Sequence, residues 1–249
     1  MDQDIIIGTH SIIEALKSSQ RSNHHLYTTE EGYKDLINKN LIPKEKLNSI
    51  KVTKLNLHDF VNQAQKIYQQ FDFKFSRIPG NQMLICDSLP ENHPGKIWDL
   101  IEKKKSVKII CLDQVTDVHN LGAILRTASF FAVDGLVVAN KKPLNFSPGF
   151  FRVSSGAFEH LPVIRCVSLP KLIGQLQEKG IQCIGLSEHN KTADIPMSNS
   201  RCLVLGAEDF GMSYAVQRVL KFNTGLESRG AIQSLNVSIA SALAMERFF

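Results

Sequence analysis

The sequence holds no apolar run of membrane-spanning length, which excludes a transmembrane helix. Asp2 and Asp4 stand where a secretory signal would carry basic residues, so no signal peptide is expected. There is no Gly-x-Gly-x-x-Gly, and that removes the phosphate-binding fingerprint of a nicotinamide-dependent oxidoreductase. Internal repeats and low-complexity tracts are missing as well. Cysteine is sparse: Cys86, Cys111, Cys166, Cys183 and Cys202 are odd in number, include no Cys-x-x-Cys and sit mostly inside apolar, strand-like runs. That usage fits buried, reduced thiols in a cytoplasmic protein and points to no metal.

What is present is an ordinary globular composition. The 249 residues, 43% of them hydrophobic, can build one large or two modest domains with a full core. The net charge of +5 suits a polyanionic partner. The excess is spread over both halves, so charge does not say which half meets that partner.

Residues 1–78 read as a small α/β module. An apolar run and Gly8 lead into a helix capped by Thr9 or Ser11, then come a strand at HHLYTT, a helix over 30–40, a strand at SIKVTKLN and a helix from Leu57. Residues 79–106 read as a linker: QMLICDSL can still be a strand, but Pro90, Pro94, Gly95 and the run Lys103–Lys105 fit an exposed connector. Those lysines could touch phosphate or simply end a solvated helix. From Val107 to Phe249, near-continuous apolar strands alternate with helices, the pattern of a parallel, doubly wound sheet covered on both faces. Ligands in such sheets bind beyond the carboxyl ends of the strands, here the loops after Asp113, Gly206 and Leu226. The last helix, from Ser234 to about Arg247, is apolar almost all round and reads as buried.

Several polar residues at these strand ends have two readings. Asn120 can cap the helix that follows it or face a ligand. Arg126 lies among Ala123, Ile124, Leu125 and Ala128, where a charge is paired or functional unless it is a plain surface arginine. Glu208 follows Gly206-Ala207 at a strand end, where it is solvated or reactive. Ser234 and Asn236 stand at the mouth of the last helix, where a cap and a binding role compete, with Ser234 the expected cap.

Three segments carry a more specific signal: LDQVTDVHNLGAILRTASFFAVDGLVV, LVLGAEDFGMS and GAIQSLNVSIASALAMERFF. In this order and at these separations they resemble the three motifs of the SpoU family of RNA ribose 2′-O-methyltransferases, within the SPOUT superfamily. The subgroup most resembled is that of the RlmB-like and TrmH-like rRNA guanosine-2′-O-methyltransferases. The likeness covers 107–249, and more weakly the start Gly8-Thr9-His10-Ser11 with Glu14-Ala15-Leu16, which looks like that subgroup's RNA-binding module.

The resemblance implies an S-adenosylmethionine-dependent enzyme acting on structured RNA, with 23S rRNA guanosine as the leading target and tRNA as the alternative. It also implies a homodimer and a sheet knotted at its C-terminal end. Asn120, Arg126, Glu208, Ser234 and Asn236 match the family's catalytic positions. Gly206, Ala207, Leu226, Ser234 and Leu235 match its cofactor pocket. Arg152 and Ser154, in SPGFFRVSSGAFEH, match a segment near the RNA, although a solvated helix face explains a single arginine equally well. Arginine is a poor free base, so Arg126 either abstracts a proton in a perturbed site or stabilises the developing alkoxide and adjacent phosphate.

The chain also departs from the family. Val118 stands where proline is usual, Asp209 where glycine is usual, and Leu226-Glu227-Ser228 where Ile-Pro-Met is usual; Pro79-Gly80-Asn81 replaces His-Gln-Gly. Asp209 and Glu227-Ser228 fall on the cofactor loops. They motivate a second reading, a non-catalytic RNA-binding or assembly protein of the same fold.

Overall fold

A computed structural model describes residues 2–38, 42, 44–140, 144–187, 194–228, 230–232 and 234–249. The expected helix end at Lys39 and Asn40, and Gln233 of the third motif, lie outside the described residues. In chain order the elements begin with β1 (Gln3–Ile7), α1 (Thr9–Lys17), β2 (His25–Thr28), α2 (Glu30–Asn38), α3 (Lys44–Asn48), β3 (Lys51–Lys54), α4 (Leu57–Gln70) and β4 (Gln82–Asp87). Then follow α5 (Gly95–Lys103), β5 (Lys108–Asp113), α6 (Val118–Phe130), β6 (Gly135–Ala139), α7 (Pro148–Ser154), β7 (Val163–Cys166) and α8 (Leu169–Glu178). The chain closes with β8 (Gln182–Leu186), β9 (Arg201–Gly206), α9 (Tyr214–Val219), β10 (Phe222–Thr224) and α10 (Val237–Phe248).

Two compact units form: Met1–Pro90 with Phe146–Glu159, and Glu91–Asn145 with His160–Phe249. This division differs from the expected one in two places. Residues 79–106 are not a connector throughout, because β4 is buried along its length and hydrogen-bonded on both edges, to β1 and β2. A strand so placed satisfies all its backbone groups, whereas an exposed linker would leave them to water. The break falls after it, near Pro90, and α5 lends Ile97 to the core of the second unit. The second difference is α7 and the turn after it, which belong to the first unit. Ser11 Oγ donates to the Phe151 carbonyl at 2.5 Å, and Arg21 Nε donates to both oxygens of Glu159 at 2.9 Å.

The first unit is a four-stranded sheet of order β1-β4-β2-β3. Alternation places Ile5, Ile7, Met83 and Ile85 on one face, where Phe60, Ala64, Ile67 and Tyr68 of α4 cover them. Helix α1 starts at Gly8, with φ 93°, and has no side-chain cap. Thr9 and Ser11 lie inside it, and the Ser11 hydroxyl is spent on α7.

The second unit is a six-stranded, all-parallel sheet of order β10-β8-β9-β5-β6-β7. Alternate residues of each strand serve opposite faces. Ile109, Cys111, Val137, Cys183, Cys202 and Val204 pack under α8 and α9, while α10 packs against α6 and β9. The strand order turns between β5 and β9, whose last residues Asp113 and Gly206 are register partners. That is the switch point at which a doubly wound sheet opens a crevice. Helix α10 is not buried all round: Val237, Ser241, Ala244, Met245 and Phe248 face inward, but Ile239 and Leu243 are 52% and 47% exposed. All five cysteines are buried and free, and burial pushes the Cys86 thiol up to about 12. No helix among the described residues is long and apolar enough to cross a membrane.

Candidate active site

At the carboxyl end of β9 the chain makes a tight reversal. Ala207 N–H donates to the Gly211 carbonyl at 3.1 Å and Gly211 N–H returns to Ala207 at 2.8 Å. Gly206 has to be glycine for that reason: a Cβ there would lie 2.0 Å from the Gly211 carbonyl carbon. The room left by its missing side chain is filled by the chain's own hairpin rather than by a ligand. The far end of the reversal is tied to the sheet by buried Asp113, whose Oδ2 accepts from Ser213 N–H at 2.7 Å.

The hairpin carries Glu208, and its Oε1 accepts from Val237 N–H at 2.9 Å, the first residue of α10. A carboxylate on a helix N-terminus is favoured by the partial positive charge of the free N–H groups there. The N-cap of α10 is Asn236, not Ser234: its Oδ1 accepts from Ser238 N–H at 2.9 Å and from the Ser238 hydroxyl. The other end of the same amide reaches across, Nδ2 donating to Asn120 Oδ1 at 3.0 Å. Asn120 is itself no cap. Asp117 caps α6 by accepting from His119 N–H at 2.8 Å, which leaves Asn120 in the first turn with its side chain free for Asn236. Asn120, Glu208 and Asn236, one from each motif, thus meet at the start of α10.

Arg126 is not drawn into this cluster. It is exposed and makes no hydrogen bond or ion pair among the described residues. Ser234 is exposed as well. Arg152 and Ser154 belong to the first unit. Arg152 is exposed, but Ser154 is 1% exposed and donates its hydroxyl to the Phe151 carbonyl at 3.1 Å. The Ser154 hydroxyl thus faces the fold and not solvent, unlike the RNA contact expected of it.

Beside the cluster is a cavity of about 720 Å³, within the range of small-molecule sites. Gly206, Ala207, Leu226, Ser234 and Leu235, the five expected pocket residues, all line it. Glu208, Phe210, Glu227 and Ser228 line it too. Glu227 and Ser228 were expected on the cofactor loops, and Phe210 is an addition. Glu227 had a signal, as a departure from the family pattern, whereas Phe210, 80% exposed, had none. Among the described residues no group of histidine, cysteine and acidic side chains could hold a metal ion.

The model of the SpoU rRNA methylase family matches residues 108–246, more than half of the chain. The chain belongs to that family. It is a methyltransferase of the SpoU/TrmH class, and the residues that meet at α10 all lie within the matched range. A Staphylococcus aureus protein (strain COL), assigned by its name to the TrmH family of tRNA/rRNA methyltransferases, is 29% identical over 253 residues, covering 100% of this chain and 96% of that protein. An uncharacterized tRNA/rRNA methyltransferase of Synechocystis is 28% identical over 254 residues; the match takes in 99% of this chain but only 62% of the longer relative. The structure of the SpoU methyltransferase AviRb from Streptomyces viridochromogenes, in complex with the cofactor AdoMet, superposes with a TM-score of 0.72 at 18% identity, over 98% of this chain and 88% of that one. At that identity the likeness speaks for the fold.

Proposed function

We propose that this protein methylates a ribose 2′-hydroxyl in structured RNA, with a 23S rRNA guanosine as target and S-adenosylmethionine as donor. The observation that carries the reading is the convergence of Asn120, Glu208 and Asn236 beside a cavity lined by all five expected pocket residues. The cavity suits the donor. Leu205, Leu226 and Leu235 offer apolar walls for a purine, and Glu208 and Glu227 offer negative charge to a cation. The donor supplies a methyl group already activated on a sulfonium, so the chain's own task is largely positioning. Asn236 is held rigid by Ser238 and Asn120 and orients the reacting hydroxyl together with Ser234. Glu208 fixes the start of α10, and with it that pair. Arg126 stabilises the developing alkoxide and the adjacent phosphate.

The remaining parts of the reading follow from the family. The C-terminal end of the sheet is knotted, with the cavity in the knot. The first unit binds RNA, with Arg152 as a phosphate contact. The protein is a cytoplasmic homodimer, for which the uncovered Ile239 and Leu243 on α10 supply an apolar face, and the free Arg126 completes its site near the subunit interface.

The test is transfer of labelled methyl from S-adenosylmethionine to 23S rRNA, 16S rRNA and tRNA from a strain lacking the gene, followed by nucleoside analysis. The expected product is 2′-O-methylguanosine in 23S rRNA. Label in tRNA alone would move the substrate to tRNA, and no label in any RNA, with the donor bound, would favour the non-catalytic RNA-binding reading.

A further inference from the structure

Two carboxylates stand on the cavity wall, and the chain treats them differently. Glu208 is engaged by the N-terminus of α10, which offsets part of its charge. Glu227 is exposed and makes no hydrogen bond or ion pair among the described residues. Nor does any lysine, arginine or histidine line the cavity among those residues. Glu227 is also held in place from both sides. Before it, β10 pairs in register with β8 up to Thr224 and Leu186, and Leu226 lines the same wall. After it, the Ser228 hydroxyl donates to the Ile232 carbonyl at 2.5 Å and accepts from Gly230 N–H at 3.3 Å. Leu226, Glu227 and Ser228, which depart from the family pattern, thus stand on the cavity wall with a carboxylate that no other described residue engages.

We propose that Glu227 is a specificity-determining residue that makes this cavity prefer the cationic methyl donor over its neutral product; the proposal rests on reading the cavity as the donor's site. Methyl transfer breaks a carbon–sulfur bond of the sulfonium and forms a carbon–oxygen bond to the ribose. The bonding pair stays on sulfur, the hydroxyl proton leaves to solvent, and the spent ligand is a thioether with one positive charge fewer. Shape and apolar contacts are nearly the same for the two ligands, so they cannot separate them. A fixed charge on the wall can, because it attracts only the form that carries the sulfonium. For a solvated carboxylate on the cavity wall, the preference amounts to about three- to tenfold and weakens as salt is raised. Glu227 thereby lets the donor outcompete the product and limits the product's inhibition of the next turnover.

Calorimetry on the full chain tests this with S-adenosylmethionine and S-adenosylhomocysteine as the two probes, at about 50 mM and about 500 mM salt. Glu227→Gln, which keeps the size of the exposed side chain, is expected to raise the donor's Kd about three- to tenfold at low salt and the product's less than about twofold. Glu227→Lys should move the donor further the same way, and high salt should shrink both effects. Equal losses for the two ligands would overturn the proposal by showing a contact rather than a charge, and unchanged affinities for both would overturn it as well. In either case the wild type still binds and the cofactor reading stands. If the wild type binds neither ligand, the cofactor reading falls and takes the proposal with it.

Discussion

Arg21 in the first unit and Arg126 in the second both adjoin apolar surroundings, and the fold handles them in opposite ways. The Arg21 side chain is 0% exposed. It donates to both oxygens of Glu159, to Asp4 at 2.8 Å and to the Asp87 carbonyl at 2.9 Å, and its guanidinium lies 5.7 Å and 5.9 Å from the ring centres of Phe151 and Phe158. Burial alone would lower its pKa, but Glu159, with Cys86 and Asp4 adding to it, outweighs that and holds it above the usual arginine range. Arg126 has none of this. A buried guanidinium whose Nε and Nη1 are engaged by Glu159, Asp4 and Asp87 is a structural fastener. An exposed one that no side chain engages is available to something outside the chain.

Exchanging each arginine for alanine probes that contrast with the largest expected effects. Arg21→Ala leaves Glu159 buried and unpaired, and breaking such a pair costs about 3–5 kcal/mol. Denaturant unfolding followed in the first unit should report it. Arg126→Ala should lower methyl transfer by about 10²–10³-fold, the loss on removing one charge stabiliser. Its unfolding midpoint should move by less than about 0.5 kcal/mol, as for an ordinary surface substitution. If Arg126→Ala unfolded the protein while leaving transfer intact in what remained folded, the two assignments would have to be exchanged.

The same contrast shows what the sequence made legible. Arg126 stood out because its own helix is apolar and follows a recognisable motif. Arg21 lies in the polar stretch SSQRSN, and its partners Asp87 and Glu159 are 66 and 138 residues away, so no local pattern announces it. The parallel sheet was readable because strands covered on both faces are apolar throughout. β10 was not, being a three-residue edge strand with only Phe222 apolar. The caps went astray for a related reason. Asp117, Asn120, Ser234 and Asn236 are all competent cap residues, and only the approach of α10 to α6 decides that Asp117 and Asn236 serve. The capture of residues 146–159 by the first unit depends on long-range partners, Ser11 and Arg21, that periodicity cannot reveal.

Asn236 allows a finer cut, because one amide both caps a helix and holds Asn120. Asn236→Ala removes both roles and should cost about 0.5–2 kcal/mol of stability, the usual loss of a cap. Asn236→Asp keeps an oxygen for Ser238 N–H but cannot donate to Asn120. It should retain the stability to within about 0.5 kcal/mol and still lose about three- to tenfold in methyl transfer, the worth of one hydrogen bond. Equal activity in the aspartate variant and the wild type would reduce Asn236 to a cap and leave Arg126 without a positioned partner hydroxyl.

The smallest expected effect returns to the first unit. Burial lowers the pKa of His24 and of His25 below the ordinary 6.5, and the charges of Lys46 and, less, Arg21 add to the lowering at His24. Below about pH 6.5 the unfolded chain therefore binds more protons at these sites than the folded one. Their contribution to stability is complete above that pH and is lost as the pH falls through the folded values. Thermal unfolding of the first unit should shift down modestly between about pH 7.5 and about pH 5.5, and His24→Gln should flatten that slope. Arg21 stays charged throughout this range, so it adds to the slope at His24 without titrating itself. Arg21→Met, destabilised as it will be, should then show a shallower dependence on pH than the wild type. An unchanged slope in that variant would mean that the buried guanidinium fastens the fold without tuning its neighbours.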